Sequence, residues 1–317
     1  MEHNREELIK KGSESLKKLA LNEHVKQYVL ENKELFSILK RAANRYIGGE
    51  HLDEVLLTIS KLNKQGFAVT TDYMGESIHN AKDAILAQEE FVTLLQAING
   101  YRLNSSISLD LSHIGLLVSD EIVKSNLSII CDQAKKTNTE VIISMEGIDR
   151  TDKILDIYKE YSSLYDNVGI TLQAYLHRTI DDFKDVIQGK GSVRIVKGAF
   201  DVPSNVSIPR GAILNDIYLG YIEELLAKDH PCSIASHDHF IFQESIKLIE
   251  KYQPITYTLE RLLGIENKEF ELYKEANYNC RMYVVYGREW FLYLCNRWAE
   301  YPLNIFRGLD DILNLEE

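Results

Sequence analysis

From residue 66 onward the chain alternates between two kinds of segment, and that alternation limits its fold more than any other feature. Short β-branched or apolar runs stand at FAVTTDY (67–73), SSISLDLS (105–112), EVIISMEG (140–147), VGITLQAY (168–175), SVRIVKGAF (192–200), CSIASHD (232–238), PITYTLE (254–260) and CRMYVVYG (280–287). Most are separated by about 25–40 residues, the length of one strand–helix unit. The connecting segments, SDEIVKSNLSIICDQAKKTN and DKILDIYKEYSSLYDN among them, carry an apolar stripe and a charged face, as helices laid on a sheet do. Ser119–Asp120 caps one such helix, and Thr179 precedes the acidic first turn Asp181–Asp182 of another. Eight strands with eight crossovers predict closure into a (β/α)8 barrel, an α/β fold of the TIM type. The alternative, an open doubly wound sheet, normally carries a Gly-rich first turn for its dinucleotide, and no GxGxxG occurs here.

Before residue 60 the rhythm is different. EELIKKGSESLKKLALN and HVKQYVLENKELFSILKRAANRYI place apolar residues at helical spacing, and no convincing strand interrupts them. The expected organisation is an N-terminal helical arm over 1–60 followed by the barrel over 61–317, with no internal repeat or low-complexity tract. The net charge of −12 argues against nucleic-acid binding, which calls for a basic footprint, and against docking over a broad anionic membrane face. Cys131, Cys232, Cys280 and Cys295 form no CxxC pair and have no zinc-site spacing, so they read as reduced, packed thiols. The charged start MEHNREELIKKGSES and the lack of any run of 18 apolar residues give the expectation of a cytoplasmic protein.

In such barrels the chemistry sits at the C-terminal ends of the strands. Those ends read, in order, Asp72, Asp110, Ser144 with Glu146, Gln173, Arg194 with Lys197, His237, Glu260 and Tyr283. The set is unusually polar. Arg194 and Lys197 are three apart, so strand alternation points only one of them inward unless the strand ends or kinks between them. A lysine there suits either a Schiff base, and hence a lyase, or pairing with an anionic group. His237 and His239, two apart, would share a strand face, but no further His or Cys joins them and a metal site is not expected. The last long helix, in REWFLYLCNRWAE, aligns Tyr293, Asn296, Arg297 and Glu300 at i, i+3, i+4 and i+7. Trp290, Phe291 and Trp298 make it too apolar to be freely solvated, which favours a ligand-facing stripe over a barrel mouth.

Together these segments resemble the proline dehydrogenase family, over about residues 43 to 308. RYIGGE (45–50), VTTDYMGES (69–77), YDNVGITLQAYLHR (165–178), SVRIVKGAF, IASHD (234–238) and CRMYVVYGREWFLYLCNRWAEYPLN (280–304) carry the likeness. The resemblance implies a distorted (β/α)8 barrel whose eighth helix covers the strand ends and which binds FAD without a Rossmann domain. It implies oxidation of proline by hydride transfer to flavin N5, with a quinone as electron acceptor, a partner that would be met at the inner membrane face. It further implies flavin contacts from Gln173, Arg194, Lys197, Ala199, Ser236, His237 and Glu300. Leu262, Tyr283 and Tyr293 would wall the substrate ring, and Arg297 would bind its carboxylate; Arg194, Lys197, Tyr283 and Arg297 are the catalytic candidates.

Five positions depart from the family pattern. Asn296 replaces the first of two arginines in the last helix, Asp110 a lysine on the second strand, and Ser144 an aspartate on the third. Phe200 stands for a tyrosine and Glu260 for a glutamine. A carboxylate-binding end that loses two cations and gains an anion predicts a proline-like amine without a free carboxylate, or with an extra cation, in preference to free L-proline. Losing one bidentate partner from a desolvated site costs roughly 2–5 kcal/mol. The alternative expectation is a member that holds flavin or ligand without catalysis.

Overall fold

The structure is a computed structural model and describes residues 2–313, with side chains from Glu6 onward. Eight strands, β1 (Ala68–Tyr73), β2 (Ser105–Leu109), β3 (Val141–Ile143), β4 (Val168–Gln173), β5 (Val193–Val196), β6 (Cys232–Ala235), β7 (Tyr257–Leu262) and β8 (Cys280–Tyr286), close into a barrel in sequence order. The registered neighbours from β1 to β8 are all parallel. Among the described residues the helices are α1 (Glu2–Ala20), α2 (Glu23–Glu31), α3 (Lys33–Asn44), α4 (Leu52–Lys64), α5 (Ala81–Gly100), α6 (Asp120–Lys136), α7 (Thr151–Leu164), α8 (Thr179–Val186), α9 (Ala212–Ala227), α10 (His239–Tyr252), α11 (Asn267–Glu275), α12 (Trp290–Glu300) and α13 (Asn304–Leu313). The TIM-type α/β class expected from the alternation is the one observed.

Contacts divide the chain into two compact units, one running from Ile59 to Tyr283 and the other through Thr58 and again from Val284. In the larger unit the core lies outside the barrel wall. Val69, Ile107, Leu109, Val141, Ile143, Ile170, Leu172, Val193, Ile195, Ile234 and Leu259 are buried on the outward strand faces. They meet the buried stripes of the surrounding helices, such as Phe91, Leu94 and Leu95 of α5 and Val123, Leu127 and Ile130 of α6. This covered outer face explains why the strands read as apolar runs. Ser119 caps α6 as the sequence suggests, accepting from the Ile122 N–H at 3.2 Å. Thr179 does not cap α8. It is the first helical residue, and its hydroxyl instead donates to the Gln173 carbonyl at 2.6 Å.

Several strands end earlier than their apolar runs do. β5 stops at Val196 because Gly198 turns the chain at φ +110°, a region open to glycine and costly for other residues. β6 stops at Ala235, where Ser236 Oγ accepts from the Asp238 N–H and Asp238 caps α10. β7 begins three residues later than PITYTLE suggests and runs on to Leu262. The N–H groups of Ile255 and Thr256 are taken up by the Asp229 carboxylate at 2.8 and 3.0 Å, so they are lost to the start of the ladder.

Among the described residues the second unit is helical apart from the end of β8 and a bridge between Ile47 and Val285. Trp290, Phe291, Leu294 and Cys295 of α12 are buried, and Trp290 meets Phe36 of α3 edge-on with ring centroids 5.3 Å apart. Ser13 of α1 donates to the Ala299 carbonyl at 2.6 Å, and Lys26 of α2 pairs with Glu289 at 2.6 Å. Arg45 forms a two-pronged ion pair with Asp311 of α13.

Candidate active site

Barrels of this kind usually fill their interior with Val, Ile and Leu. This one fills it with hydroxyls and charges. Alternation from the registered pairs turns Thr70 and Asp72, Ser106 and Ser108, Thr171 and Gln173, Arg194, Ser233, Thr258 and Glu260, and Arg281 and Tyr283 to the same side of the wall. They are joined into one network. Arg194 donates from Nε to Glu260 Oε2 at 2.9 Å and from Nη2 to Oε1 at 3.1 Å, a fork-on-fork pair with the side chains 4% and 1% exposed. Arg194 Nη1 reaches Ser108 Oγ at 3.0 Å and Thr171 Oγ1 at 3.4 Å. Glu260 also accepts from Thr70 Oγ1 at 2.8 Å and from Ser233 Oγ. Arg281 joins from the side, with Nη1 on Ser106 Oγ at 2.5 Å and on the Val69 carbonyl at 3.2 Å. Burial alone would push the Glu260 carboxyl up; Arg194 and Arg281 outweigh it and hold the group below the usual carboxylate range.

Arg194 therefore lies in the interior below the strand end. The sequence places it with the rim residues, but it is the second residue of a four-residue strand, and its long side chain stays inside. Glu260 belongs with it in the interior, because β7 continues two residues beyond it. Lys197 is past the end of β5, which resolves the spacing problem between the two cations. Its Nζ donates to Asn215 of α9 at 2.6 Å and to Asp238 at 2.5 Å.

Above Arg194 the mouth is acidic. Tyr283 lies with its ring centroid 4.9 Å from the guanidinium carbon and donates its hydroxyl to Asp72 Oδ2 at 2.5 Å. Its strand partner on β7 is Leu262. Burial drives the Asp72 carboxyl up to about 7, against the pull of Tyr283 and Arg194. Asp110 is raised well above its ordinary value, first by burial and then by Asp72, Glu146 and Glu76; its bond with Ser144 works the other way. Ser144 also bonds Ser108 at 3.2 Å. Asp110 and Ser144 are thus brought together, as their adjacent strands predict. Glu146 is spoken for, accepting from the Ser112 N–H at 3.0 Å and from Arg150 at 2.6 Å.

Gln173 ends β4 beside this group. Its Nε2 donates to the Met145 and Glu146 carbonyls, while its buried Oε1 has no partner. The LQAY and VKGA segments are stitched together beyond the strands, Ala174 N to Val196 O at 2.8 Å and Tyr175 N to Lys197 O at 3.0 Å. Tyr175 packs on Gly198, where an added Cβ would lie 2.2 Å from the ring. Ala199, Phe200 and His237 stand on the loops after β5 and β6, where all three are exposed and Ser236 is buried. His239 starts α10 and pairs with Glu269, so it shares no strand face with His237. No group of three metal-ligating side chains occurs among the described residues. In the other unit, α12 keeps its polar stripe: Arg297 lies 5.0 Å over the Tyr293 ring and pairs with Glu300 at 2.6 Å, and Asn296 is half-buried.

A family model described as proline dehydrogenase matches residues 55–202. Proline dehydrogenase 1 of Bacillus subtilis is 33% identical over 300 residues, covering 92% of this chain and 98% of the relative. The chain belongs to the proline dehydrogenase family. Proline dehydrogenase 2 of the same organism is also 33% identical, over 84% of this chain and 90% of its own length, and the Deinococcus radiodurans proline dehydrogenase is 24% identical over 83% and 87%. Among solved structures, proline utilization A from Bdellovibrio bacteriovorus, inactivated by N-propargylglycine, superposes with a TM-score of 0.76 at 18% identity. That match covers 99% of this chain and 38% of the larger protein, and it shows a shared fold.

Sequence reasoning missed Thr70, Ser106, Ser108, Thr171, Ser233 and Arg281 as parts of the site. A signal existed: Thr70 in VTTDY, Ser106 and Ser108 in SSISL and Ser233 in CSIAS stand between the apolar positions that face the helices, where a barrel with ordinary packing would place Val or Ile.

Proposed function

We propose that this chain is an FAD-dependent oxidoreductase that oxidises a C–N bond of proline or of a proline-like amine. The observation that carries the reading is the polar group at the ends of β4 to β6. Arg194 just below those ends and Lys197 and Ser236 beyond them are held in place, with His237 exposed on the same loop, near one buried acceptor, Gln173 Oε1, that has nothing to accept from. Flavin rings present N–H donors and gain negative charge on reduction, and this donor set fits both properties. Gln173, Arg194, Lys197, Ala199, Ser236 and His237 would hold the cofactor; bound FAD would accept a hydride at N5 from the carbon next to the substrate nitrogen. Arg194 would place positive charge under the ring, and Tyr283 with Leu262 would bound the substrate pocket. Tyr293, Asn296, Arg297 and Glu300 enter through the sequence resemblance, as does a quinone acceptor at a membrane surface. No described helix is long and apolar enough to cross a membrane.

The substrate end favours an amine without a free carboxylate. Asp72 and Asp110 both resist ionisation, so the mouth already disfavours negative charge. Purified protein should be yellow, and anaerobic addition of substrate should bleach it. In a panel of L-proline, prolinamide, N-substituted prolines and simple cyclic amines, the carboxylate-free amines should bleach it at lower concentration. Bleaching by L-proline at ordinary millimolar levels would refute the substrate preference, and colourless protein that binds no FAD would refute the function. Flavin that dithionite reduces but no amine does would favour the non-catalytic reading, to which the acidic mouth also lends support. A lyase centred on Lys197 is disfavoured by the commitment of its ammonium to Asp238 and Asn215.

A further inference from the structure

The Arg194–Glu260 pair has a consequence for electron transfer. Every nitrogen of the Arg194 guanidinium has partners within the barrel: Nε and Nη2 address the carboxylate, Nη1 addresses Ser108 and Thr171, and Nη2 also reaches Thr70. Both oxygens of Glu260 are likewise filled, by Arg194, Thr70 and Ser233. The guanidinium plane is thereby locked, and neither partner can turn away to meet a ligand without leaving the other charged and buried. What Arg194 offers to anything bound above it is its field, and a full negative charge at hydrogen-bond distance cancels most of that field.

We propose that Glu260 is a positioning residue that tunes the flavin, fixing Arg194 and cancelling its charge so that the bound flavin is harder to reduce than it would be beside a lone arginine. This rests on the flavin reading given above. Two-electron reduction adds negative charge to the ring system, so an uncompensated cation beneath it favours the reduced form, and a neutral ion pair does so far less. Arg281 contributes a second positive charge nearby, held by Ser106 and the Val69 carbonyl, and it stays constant in the comparison below.

The test is a spectroelectrochemical titration of FAD-loaded protein for wild type, Glu260→Gln, Arg194→Met and the double variant. Counting charge on the pair gives zero, plus one, minus one and zero. Glu260→Gln should favour reduced flavin at least tenfold over wild type, about 30 mV for a two-electron couple. The double variant should return to within a few-fold of wild type, and Arg194→Met should lie below both. In Glu260→Gln the amide oxygen would still accept from one Arg194 nitrogen and one hydroxyl, and the other hydroxyl can reverse to accept from the amide nitrogen, so the variant loses one Arg194 bond and keeps the rest. The double variant leaves no unpaired buried charge, so the charge count can be read even where Arg194→Met alone does not fold. FAD bound with coincident potentials in wild type and Glu260→Gln, or a double variant that stays as high as Glu260→Gln, overturns the charge-cancellation proposal alone. Wild type that takes up no FAD overturns the flavin reading and the proposal with it.

Discussion

At the scale of single residues, Asp72 makes the sharpest statement about pH. Its carboxyl is raised from 3.8 to about 7 in the fold, because burial penalises the anion more than Tyr283 and Arg194 support it. The folded state therefore holds a proton that the unfolded chain has released, and stability contributed by this group falls as pH rises from about 4 to 7. Asp72→Asn removes the titration while keeping an acceptor for Tyr283. It should leave thermal stability near wild type at pH 4 and raise it at pH 8, by on the order of 4 kcal/mol; melting curves at the two pH values measure the difference. Asp110 should show itself in specificity. Asp110→Asn should raise kcat/KM for L-proline about tenfold or more at a pH high enough to ionise Asp110, where a like charge facing a ligand costs several kcal/mol. Far less is expected at lower pH, where Asp110 holds its proton. The gain should be much smaller for prolinamide, which brings no carboxylate. Equal changes for both substrates would remove Asp110 from the specificity argument.

Elements are where the sequence is easiest to read, and also where it misleads. Eight apolar runs correspond to eight strands because every outward face is covered by a helix, which makes the runs long and visible. The ends are less legible. β5 and β6 stop at a positive-φ glycine and at a Ser236–Asp238 turn, neither of which interrupts the apolar pattern. The sequence points to Arg194, but at the rim instead of the interior, since nothing in RIVKGAF shows how deep the strand end is. The alternation that does show it, hydroxyls facing inward, competes with the more obvious Ile and Leu facing the helices. Arg261 is a residue that alternation alone would misjudge: it points outward into the helix layer and is 1% exposed. It is held there between Phe242 of α10 at 4.8 Å and Phe270 of α11 at 5.3 Å, with Glu269 at 2.9 Å and the Glu266 carbonyl at 3.0 Å. Arg261→Ala should destabilise by about 3 kcal/mol in denaturant titration, through lost packing and an abandoned Glu269. The β5 turn makes a second demand. Gly198→Ala would push a Cβ into the Tyr175 ring and strain the backbone, costing about 1–3 kcal/mol. If the loop holds FAD, the same change should weaken FAD binding more than tenfold in a fluorescence titration.

For the whole molecule, family membership follows from relatives that align over nearly their full length. The class of fold is legible because the repeating unit is long and regular, whereas the substrate end is legible only as a set of departures. Asp110, Ser144 and Glu260 can be named from the sequence, but not that Asp110 and Ser144 bond each other or that Glu260 clamps Arg194. Those facts depend on register between strands far apart in the chain. If FAD sits, as proposed, on the loops after β4 to β6, it should also stabilise the fold by mass action. Adding FAD at about a hundred times its dissociation constant should raise unfolding free energy by about 2.7 kcal/mol, and stripping it should lower the melting temperature to match. Calorimetry with and without added FAD checks this.

The hydroxyl-lined interior has an evolutionary corollary. Because the greasy layer that drives folding lies outside the wall, the inside is released from the duty of holding the barrel together. Serine and threonine can be exchanged there one at a time while keeping the hydroxyl that the buried pair uses, and each exchange shifts the electrical landscape felt at the mouth. A lineage could thus retune reactivity from within, in small heritable steps, while the scaffold that carries it stays the same. Saturation mutagenesis should find the outward positions open only to apolar residues and the inward hydroxyls open to serine–threonine exchange, consequential for what the fold does.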